Sequence, residues 1–576
     1  MSLTNIILKN IQKDNVQLFF LLVYALIFLF IGLDAAALID WDENIYAEAS
    51  RQMLARQDYL NIYINGQPFA EKPPLYFWLQ SSSFNFFGVD EFSARFPSAF
   101  IGLLQAFWLY YVGRKLYSHR LGIFWSSIFL SSFLPGIFAK TAVIDHTFNF
   151  FISLSTFMLI FYDTEKIKCD FKFFDFKFSN WVEFLWLFLA SLSMGLAVLT
   201  KGPLGGVIPL VGFIVYKSVS KNKIISFYHI IFCGVLSLFV ATSWYLINLY
   251  IHGTQFIENF IEFQFKLFSQ SLEGHTGPFF YHFLVALFGI MPWTAFLFLG
   301  PFRISNYNIK IQNILVLCIG WILFVLILFS FVNTKLPHYS ASIYIPLSFL
   351  IASILEKKIS ENHTLPKWFN IVSIIQGIFI SVGFIILPYL AKQEIIQNYP
   401  NFDLAFPHDI FWIGGLILCL FIFGIMTWFY NNFKLGLVFY LIAMLVFSQG
   451  IWRYQVPMGL KFIQNPMLEM VKEAIKKKQP VVFYRFVSFA ALFYGKEPIH
   501  MLHTYKFPGD PTILKKRHKK TISVITTKNH LDILISEHPL LDFVKEKGQF
   551  VLLKLTSIDQ LERYLLKLTS TDQLKR

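Results

Sequence analysis

The segment "DWDENIYAEASRQML", residues 40–54, sets Asp40, Asp42 and Glu43 directly after an apolar run of membrane-spanning length. Carboxylates in such a place can take a proton from an attacking hydroxyl, orient an acceptor or balance an ammonium group. Asp42 and Glu43 also stand where a helix would begin, and complementing its dipole would by itself account for an isolated acidic pair. Ile45, Tyr46, Ala49 and Met53 fall at helical spacing, which predicts a short helix lying in the membrane interface with its charged face outward.

Other ionisable residues stand apart from any run of like charge. Glu71 and Lys72 lie in "INGQPFAEKPPLYFWL", between the turn signal Asn65–Gly66 and the stiff pair Pro73–Pro74. An exposed adjacent ion pair is worth little, but a rigid support for one argues for a functional loop. Asp145, in "AKTAVIDHTFNFF", must face a cavity or a partner, because a carboxylate facing lipid is costly. Pairing with Lys140 would satisfy it. Lys201 in "LTKGP" stands alone at a helix end, where snorkelling explains it. In "NTKLPHYS", Lys335 and Tyr339 offer a point charge and a hydroxyl donor to a phosphate, or Tyr339 anchors in the aromatic belt. His275 sits in a glycine-rich loop between Gly274 and Gly277.

The elements that must position these residues are membrane helices. Of 576 residues 56% are hydrophobic and 15% charged, against about 25% charged in soluble domains, so the chain is polytopic. Its net charge of +14 is spread in short clusters between apolar runs, which suits membrane topology and not a nucleic-acid groove. Spanning runs near 17–38, 94–113, 121–140, 143–162, 181–199, 203–218, 226–250, 279–300, 311–332, 337–355, 369–390, 409–429 and 435–452 predict about 13 transmembrane helices. Alternate loops at 114–120, 166–177, 217–223, 303–310, 357–367 and Lys434 hold the lysine and arginine clusters, so they and the N-terminus are cytoplasmic. Every candidate above then faces the opposite side. Cys169, Cys233, Cys318 and Cys419 show no ligand spacing and imply neither a disulfide framework nor a zinc knuckle.

Residues 1–455 thus form a transmembrane domain with two long outer loops, 39–93 and 251–278. Residues 456–576 are more polar. There "PVVFYRF", "TISVITT" and "QFVLLKL" read as buried strands and "HLDILISEH" as a helix, predicting a small α/β domain on the outer side. The end repeats itself, "LLKLTSIDQL" at 552–561 returning as "LLKLTSTDQL" at 565–574, too few copies for a solenoid.

Taken in order, "DENIYAEASRQML", "EKPPLYFWL", "DHTFNFF", "LTKGP" and "KLPHY" resemble the bacterial lipid A aminoarabinose transferases, within the protein-mannosyltransferase-like membrane glycosyltransferases that use polyprenyl phosphate donors. The resemblance covers most of residues 20–350. It implies a C-type glycosyltransferase fold in the bacterial inner membrane, with a periplasmic site that moves an aminosugar, such as aminoarabinose or galactosamine, from undecaprenyl phosphate to lipid A. By matching position it implies Asp42 and Asp145 as catalytic acids, and Lys72 and Tyr339 as holders of the carrier phosphate, with Lys335 placed beside them. Glu71 and His275 match positions that hold a divalent metal such as zinc. Glu43, Tyr46 and Lys201 complete the expected cavity.

The chemistry agrees with these side chains. Expulsion of a polyprenyl phosphate builds negative charge that lysines and a tyrosine hydroxyl stabilise. The sequence shows no carboxylate pair suited to a covalent intermediate, so inversion at the anomeric carbon is expected. Two alternatives stay open: the same reaction on protein Ser/Thr or another glycan, and a lipid or solute transporter. The transporter reading lacks an inverted repeat and midplane helix breaks.

Overall fold

Backbone in a membrane must satisfy its own polar groups, so the apolar runs have to be helical. The computed structural model describes residues 3–164, 171–173, 176–178, 181–220, 226–269, 275–300, 304, 307–361, 364–400, 402, 406–504, 508–510, 513–514 and 520–556. Among them nine helices are long and apolar enough to cross a membrane, and Asp14–Phe30 and Leu204–Val219 are shorter apolar helices. The remaining two predicted spans are broken. One divides into His119–Ser131 and Phe133–Phe138, the other into Tyr281–Gly289 and Thr294–Leu297 around Pro292, which lacks the backbone N–H that a helix interior uses. The protein is a multi-pass membrane protein. The terminal repeat beyond residue 556, and residues 166–170 and 221–223 of the basic loops, lie outside the described residues.

The basic loops gather at one end of the bundle. Arg120 reaches Glu356 at 3.2 Å and Ser360 at 3.2 Å, and Lys217 pairs with the buried Asp163 at 2.8 Å. At the other end the long first loop is folded. It holds helices Asp42–Arg56 and Leu75–Phe87 and a hairpin pairing Tyr63 with Pro68 and Ile64 with Gln67, where Asn65 and Gly66 take positive φ as such a turn requires.

The first helix stops at Phe30, eight residues before the predicted end. Residues 31–41 then run non-helically at the membrane edge, and their carbonyls need donors. Arg95, fully buried within helix Glu91–Leu116, supplies them: Nη1 donates to Leu33 O and Ala36 O at 2.8 and 2.7 Å, and Nη2 to Ala37 O at 3.0 Å. Lys140 Nζ and Gln449 Nε2 both donate to Ile31 O, at 2.8 and 3.1 Å. Arg95 also grips Glu43 through Nε and Nη2 at 2.9 and 2.8 Å and lies 4.6 Å from the Trp452 ring. This fork geometry is specific to arginine.

Helix Asp42–Arg56 does not float in the interface. Residues 43–50, 52 and 53 are buried, so the face expected to meet water is covered. Several of its polar side chains pair internally: Ser50 Oγ donates to Gln80 Oε1 at 2.8 Å, and Gln52 and Arg51 both reach Glu48.

The last membrane helix continues to Ile463, and the tail then builds a five-stranded sheet in the order His500–Leu502, Val481–Tyr484, Ile522–Thr527, Phe550–Leu555, Leu541–Lys547. The first three strands are parallel and the last two pairings antiparallel. Val481–Tyr484 is buried on both faces, which explains its unbroken apolar run. One face packs Val482 and Val524 against Leu534. The other puts Phe483 and Ile525 in a single core with Met467 and Phe489 of the tail and with Ile45, Tyr46, Met53 and Phe77 of the first loop. The tail and the loop therefore lie on the same side and share a core.

Replacing Arg95 by leucine would strand a buried carboxylate and three carbonyls. Breaking such a pair from one side costs about 3–5 kcal/mol. We expect a large drop in the thermal unfolding midpoint of R95L in detergent, and Arg95→Lys, without the fork, should restore only part of it.

Candidate active site

Stretches distant in sequence converge where the first loop meets the bundle. Asp42 opens helix Asp42–Arg56, and Lys72 precedes the buried Pro73–Pro74 that leads into helix Leu75–Phe87. Asp145 lies in the first turn of helix Ile144–Thr164, Lys201 ends helix Trp181–Lys201, and Tyr339 lies in the 3₁₀ turn Pro337–Ile343.

Asp145, 3% exposed, is ion-paired with Lys201. Lys201 Nζ stands 5.2 Å from the centre of the Tyr339 ring and 5.9 Å from that of Phe148. Lys72 Nζ is 5.3 Å from the Phe263 ring of helix Thr254–Ser269. Burial, reinforced by the charge of Lys201, pushes the Lys72 ammonium down to about 8, against the opposing pull of Glu71, Asp42 and Asp145. Tyr46 is buried, with Tyr76 and Phe77 edge-on to its ring at 6.0 and 5.8 Å. Burial first, then the charges of Asp42, Asp145 and Glu71, hold its phenol well above the usual range, so it stays a hydrogen-bond donor. Asp42, Glu71, Lys72, Asp145, Lys201, Tyr46 and Tyr339 thus share one electrostatic environment.

His338 was passed over in the sequence. Its ring feels the charges of Asp145, Lys201, Asp42 and Lys72 and meets Tyr339 edge-on at 4.9 Å. The signal was there, since "KLPHY" places a third ionisable group between two that were singled out.

Three expectations need correction. Glu43 does not line the cavity: besides the Arg95 fork it accepts from Ile39 N at 2.8 Å and Ala142 N at 2.7 Å, which uses both its oxygens as scaffold. Lys335 is not turned to the cluster. Its Nζ donates to Phe329 O and Ser330 O at 2.8 and 2.7 Å, capping the end of helix Ile309–Phe331. Lys140 does not pair with Asp145, because it is spent on Ile31 O while Lys201 takes the carboxylate.

The metal expectation also finds no support in the geometry. His275 is exposed, and its carbonyl accepts from Lys335 N at 2.9 Å. Among the described residues no group of three or more His, Cys, Asp or Glu is placed to hold a metal ion.

Beside the cluster a cavity of about 1150 Å³ opens between helices Trp181–Lys201, Leu204–Val219 and Phe227–His252. Val198 and Pro203, which flank Lys201, line its near end with Tyr245 and Phe260, and Lys217 and His229 line its far end. Between them the walls are apolar, as an acyl or isoprenoid chain requires.

Residues 15–257 match the family described as dolichyl-phosphate-mannose-protein mannosyltransferase. The crystal structure of ArnT from Cupriavidus metallidurans bound to undecaprenyl phosphate superposes with a TM-score of 0.75 at 17% identity, over 94% of this chain and 98% of that one, so the C-type glycosyltransferase fold is shared. The undecaprenyl phosphate-alpha-4-amino-4-deoxy-L-arabinose arabinosyl transferase of Edwardsiella ictaluri is 24% identical over 413 residues, covering 71% of this chain and 70% of its own. The protein of the same name from Wigglesworthia glossinidia brevipalpis is 30% identical over 416 residues, 72% of this chain and 69% of that protein. The chain therefore belongs to the undecaprenyl phosphate-alpha-4-amino-4-deoxy-L-arabinose arabinosyl transferases, a family of polyprenyl-phosphate-dependent membrane glycosyltransferases.

Proposed function

We propose that this protein transfers 4-amino-4-deoxy-L-arabinose from undecaprenyl phosphate to lipid A, on the periplasmic face of the bacterial inner membrane. The observation that carries the reading is the mixed acid–base cluster beside an apolar groove, at the end of the bundle away from the basic loops. The groove takes the isoprenoid tail, whose burial contributes about 0.8 kcal/mol per methylene. Its near end delivers the carrier phosphate to Lys72, Lys201 and Tyr339.

The bond changes are simple. An oxygen of the lipid A phosphate attacks the anomeric carbon, the bond from that carbon to the carrier phosphate oxygen breaks, and its electron pair leaves as undecaprenyl phosphate. Attack opposite the leaving group inverts the centre. The nucleophile is already an anion and needs no base, so Asp42 and Asp145 orient the reactants and hold the sugar ammonium. Lysine charge and the Tyr339 hydroxyl meet the phosphate as it gains charge, in a site fixed before the substrate arrives.

Mass spectrometry of lipid A from a strain lacking the gene tests the reaction. Loss of the aminoarabinose-bearing species is expected, and unchanged lipid A would reject the acceptor. Asp42→Asn should lower kcat at least about 100-fold while carrier binding persists. Turnover of that variant at the wild-type rate would remove Asp42 from the chemistry.

The pH profile follows from Lys72. Its ammonium is charged below about 8 in the free enzyme and loses the proton above it. Since kcat/KM reports the free enzyme, it should fall as pH rises through about 8, and Lys72→Arg should move that limb to higher pH. Lys335→Met should leave affinity for undecaprenyl phosphate intact and instead lower the unfolding midpoint, which equilibrium binding and thermal unfolding would separate.

A further inference from the structure

The tail's helices grip the few residues immediately before Asp42. Tyr494 Oη accepts from Leu38 N at 2.8 Å and donates to Glu91 Oε1 at 2.8 Å. Gln464 holds the same stretch twice, its Nε2 donating to Leu38 O at 3.0 Å and its Oε1 accepting from Asp40 N at 3.0 Å. Asp40 returns the grip. Its Oδ1 accepts from Phe489 N and Ala490 N, both at 3.1 Å, and its Oδ2 from Ser488 Oγ at 2.5 Å, so it caps helix Phe489–Gly495 from another part of the chain. Trp41 closes the contact edge-on against Phe489 at 4.8 Å. Asn65 adds a second tie from the hairpin, donating to Ile499 O at 2.8 Å and accepting from Ile499 N at 3.0 Å.

We propose that the C-terminal domain positions Asp42, and that Asp40 is the positioning residue through which it does so. The inference rests on the reading that Asp42 acts in sugar transfer. Residues 31–41 have no helix or sheet to fix them, so the direction in which they enter helix Asp42–Arg56 is set by what holds them. Asp40 and Asp42 are two residues apart, a span of at most about 7 Å, which leaves no slack to absorb a shift. A displacement of about 1 Å at a reacting group can cost about 100-fold in rate. Retention for stability explains Asp40 less well. Burial pushes its carboxyl up to about 6, and the three donors only partly reverse this, so above that pH the charged form contributes less to folding than its bonds suggest. The domain thus supplies geometry to a site that it does not line.

The test compares Asp40→Ala, Asp40→Asn and Tyr494→Phe in the full-length protein. The readouts are turnover with an undecaprenyl-phosphate-linked aminoarabinose donor and lipid A, binding of undecaprenyl phosphate alone, and amide hydrogen exchange over residues 40–46. Asparagine caps a helix as well as aspartate does. We expect D40A to lower kcat about 10- to 100-fold with carrier affinity within about twofold of wild type, D40N to recover most of the loss, and Y494F to fall between them. Exchange over 40–46 should quicken in D40A and Y494F and not in D40N. The proposal is overturned if D40A turns over like wild type, if D40N fares no better than D40A, or if carrier affinity falls in step with kcat while exchange rises through the whole bundle. Should the wild-type protein transfer nothing from this donor, the proposed reaction fails. Exchange over 40–46 would then still decide the clamp, unchanged protection in D40A refuting it.

Discussion

Everything at the active end depends on one buried contact, the Arg95 guanidinium against Glu43 and the carbonyls of Leu33, Ala36 and Ala37. A membrane protein cannot leave non-helical backbone beside lipid unless something else satisfies it. Here the first helix ends early, and an arginine from a neighbouring span supplies the missing donors. Glu43 neutralises that arginine and also accepts from Ala142 N, three residues before Asp145. One ion pair therefore fixes the segment leading to Asp42 and the turn leading to Asp145. The two acids proposed for the reaction are held in register by a third that takes no part in it.

The three acids at the head of the first loop have three separate fates, and this is where sequence reading reached its limit. Asp40 caps a helix in the tail, Glu43 pairs with Arg95, and Asp42 is left to the cluster. Nothing in their spacing separates them, because the partners that decide two of them, Arg95 for Glu43 and Phe489 for Asp40, lie more than 50 residues away. The broad pattern was readable: every predicted span contains helix, though those at 17–38, 121–140 and 279–300 are cut short or broken, three of the five tail strands lie where the apolar runs placed them, and Lys72, Asp145, Lys201 and Tyr339 do come together. Those features depend on local periodicity and on sidedness, which single segments carry. Arg95 and Asp40 were missed because their roles exist only once distant segments meet.

Lys201 and Lys335 show the same limit at the scale of one side chain. Both are lone lysines at helix ends on the same side. Lys335 lies four residues beyond the end of its helix, and its chain folds back onto the last free carbonyls. Lys201 is the final residue of its own helix, too early to reach back in that way, and a buried aspartate is within reach. Position relative to the helix terminus decides which lysine serves the backbone and which the site. That position depends on boundaries that sequence patterns place only to within a few residues.

The charge balance of the cluster bears on how the proposed reaction ends. Asp42, Glu71 and Asp145 face Lys72 and Lys201, so the acids outnumber the lysines. A site built only to hold phosphate would be the reverse. The proposed donor carries a sugar ammonium and a phosphodiester, and its charges offset one another. Once the sugar has moved, the carrier is a phosphate monoester that has lost the ammonium and gained charge. The carboxylates that favoured the donor then repel the spent carrier, and its departure is aided by the same acids that received it. Lysines alone would bind the product more tightly than the substrate, and the surplus of acid opposes that order.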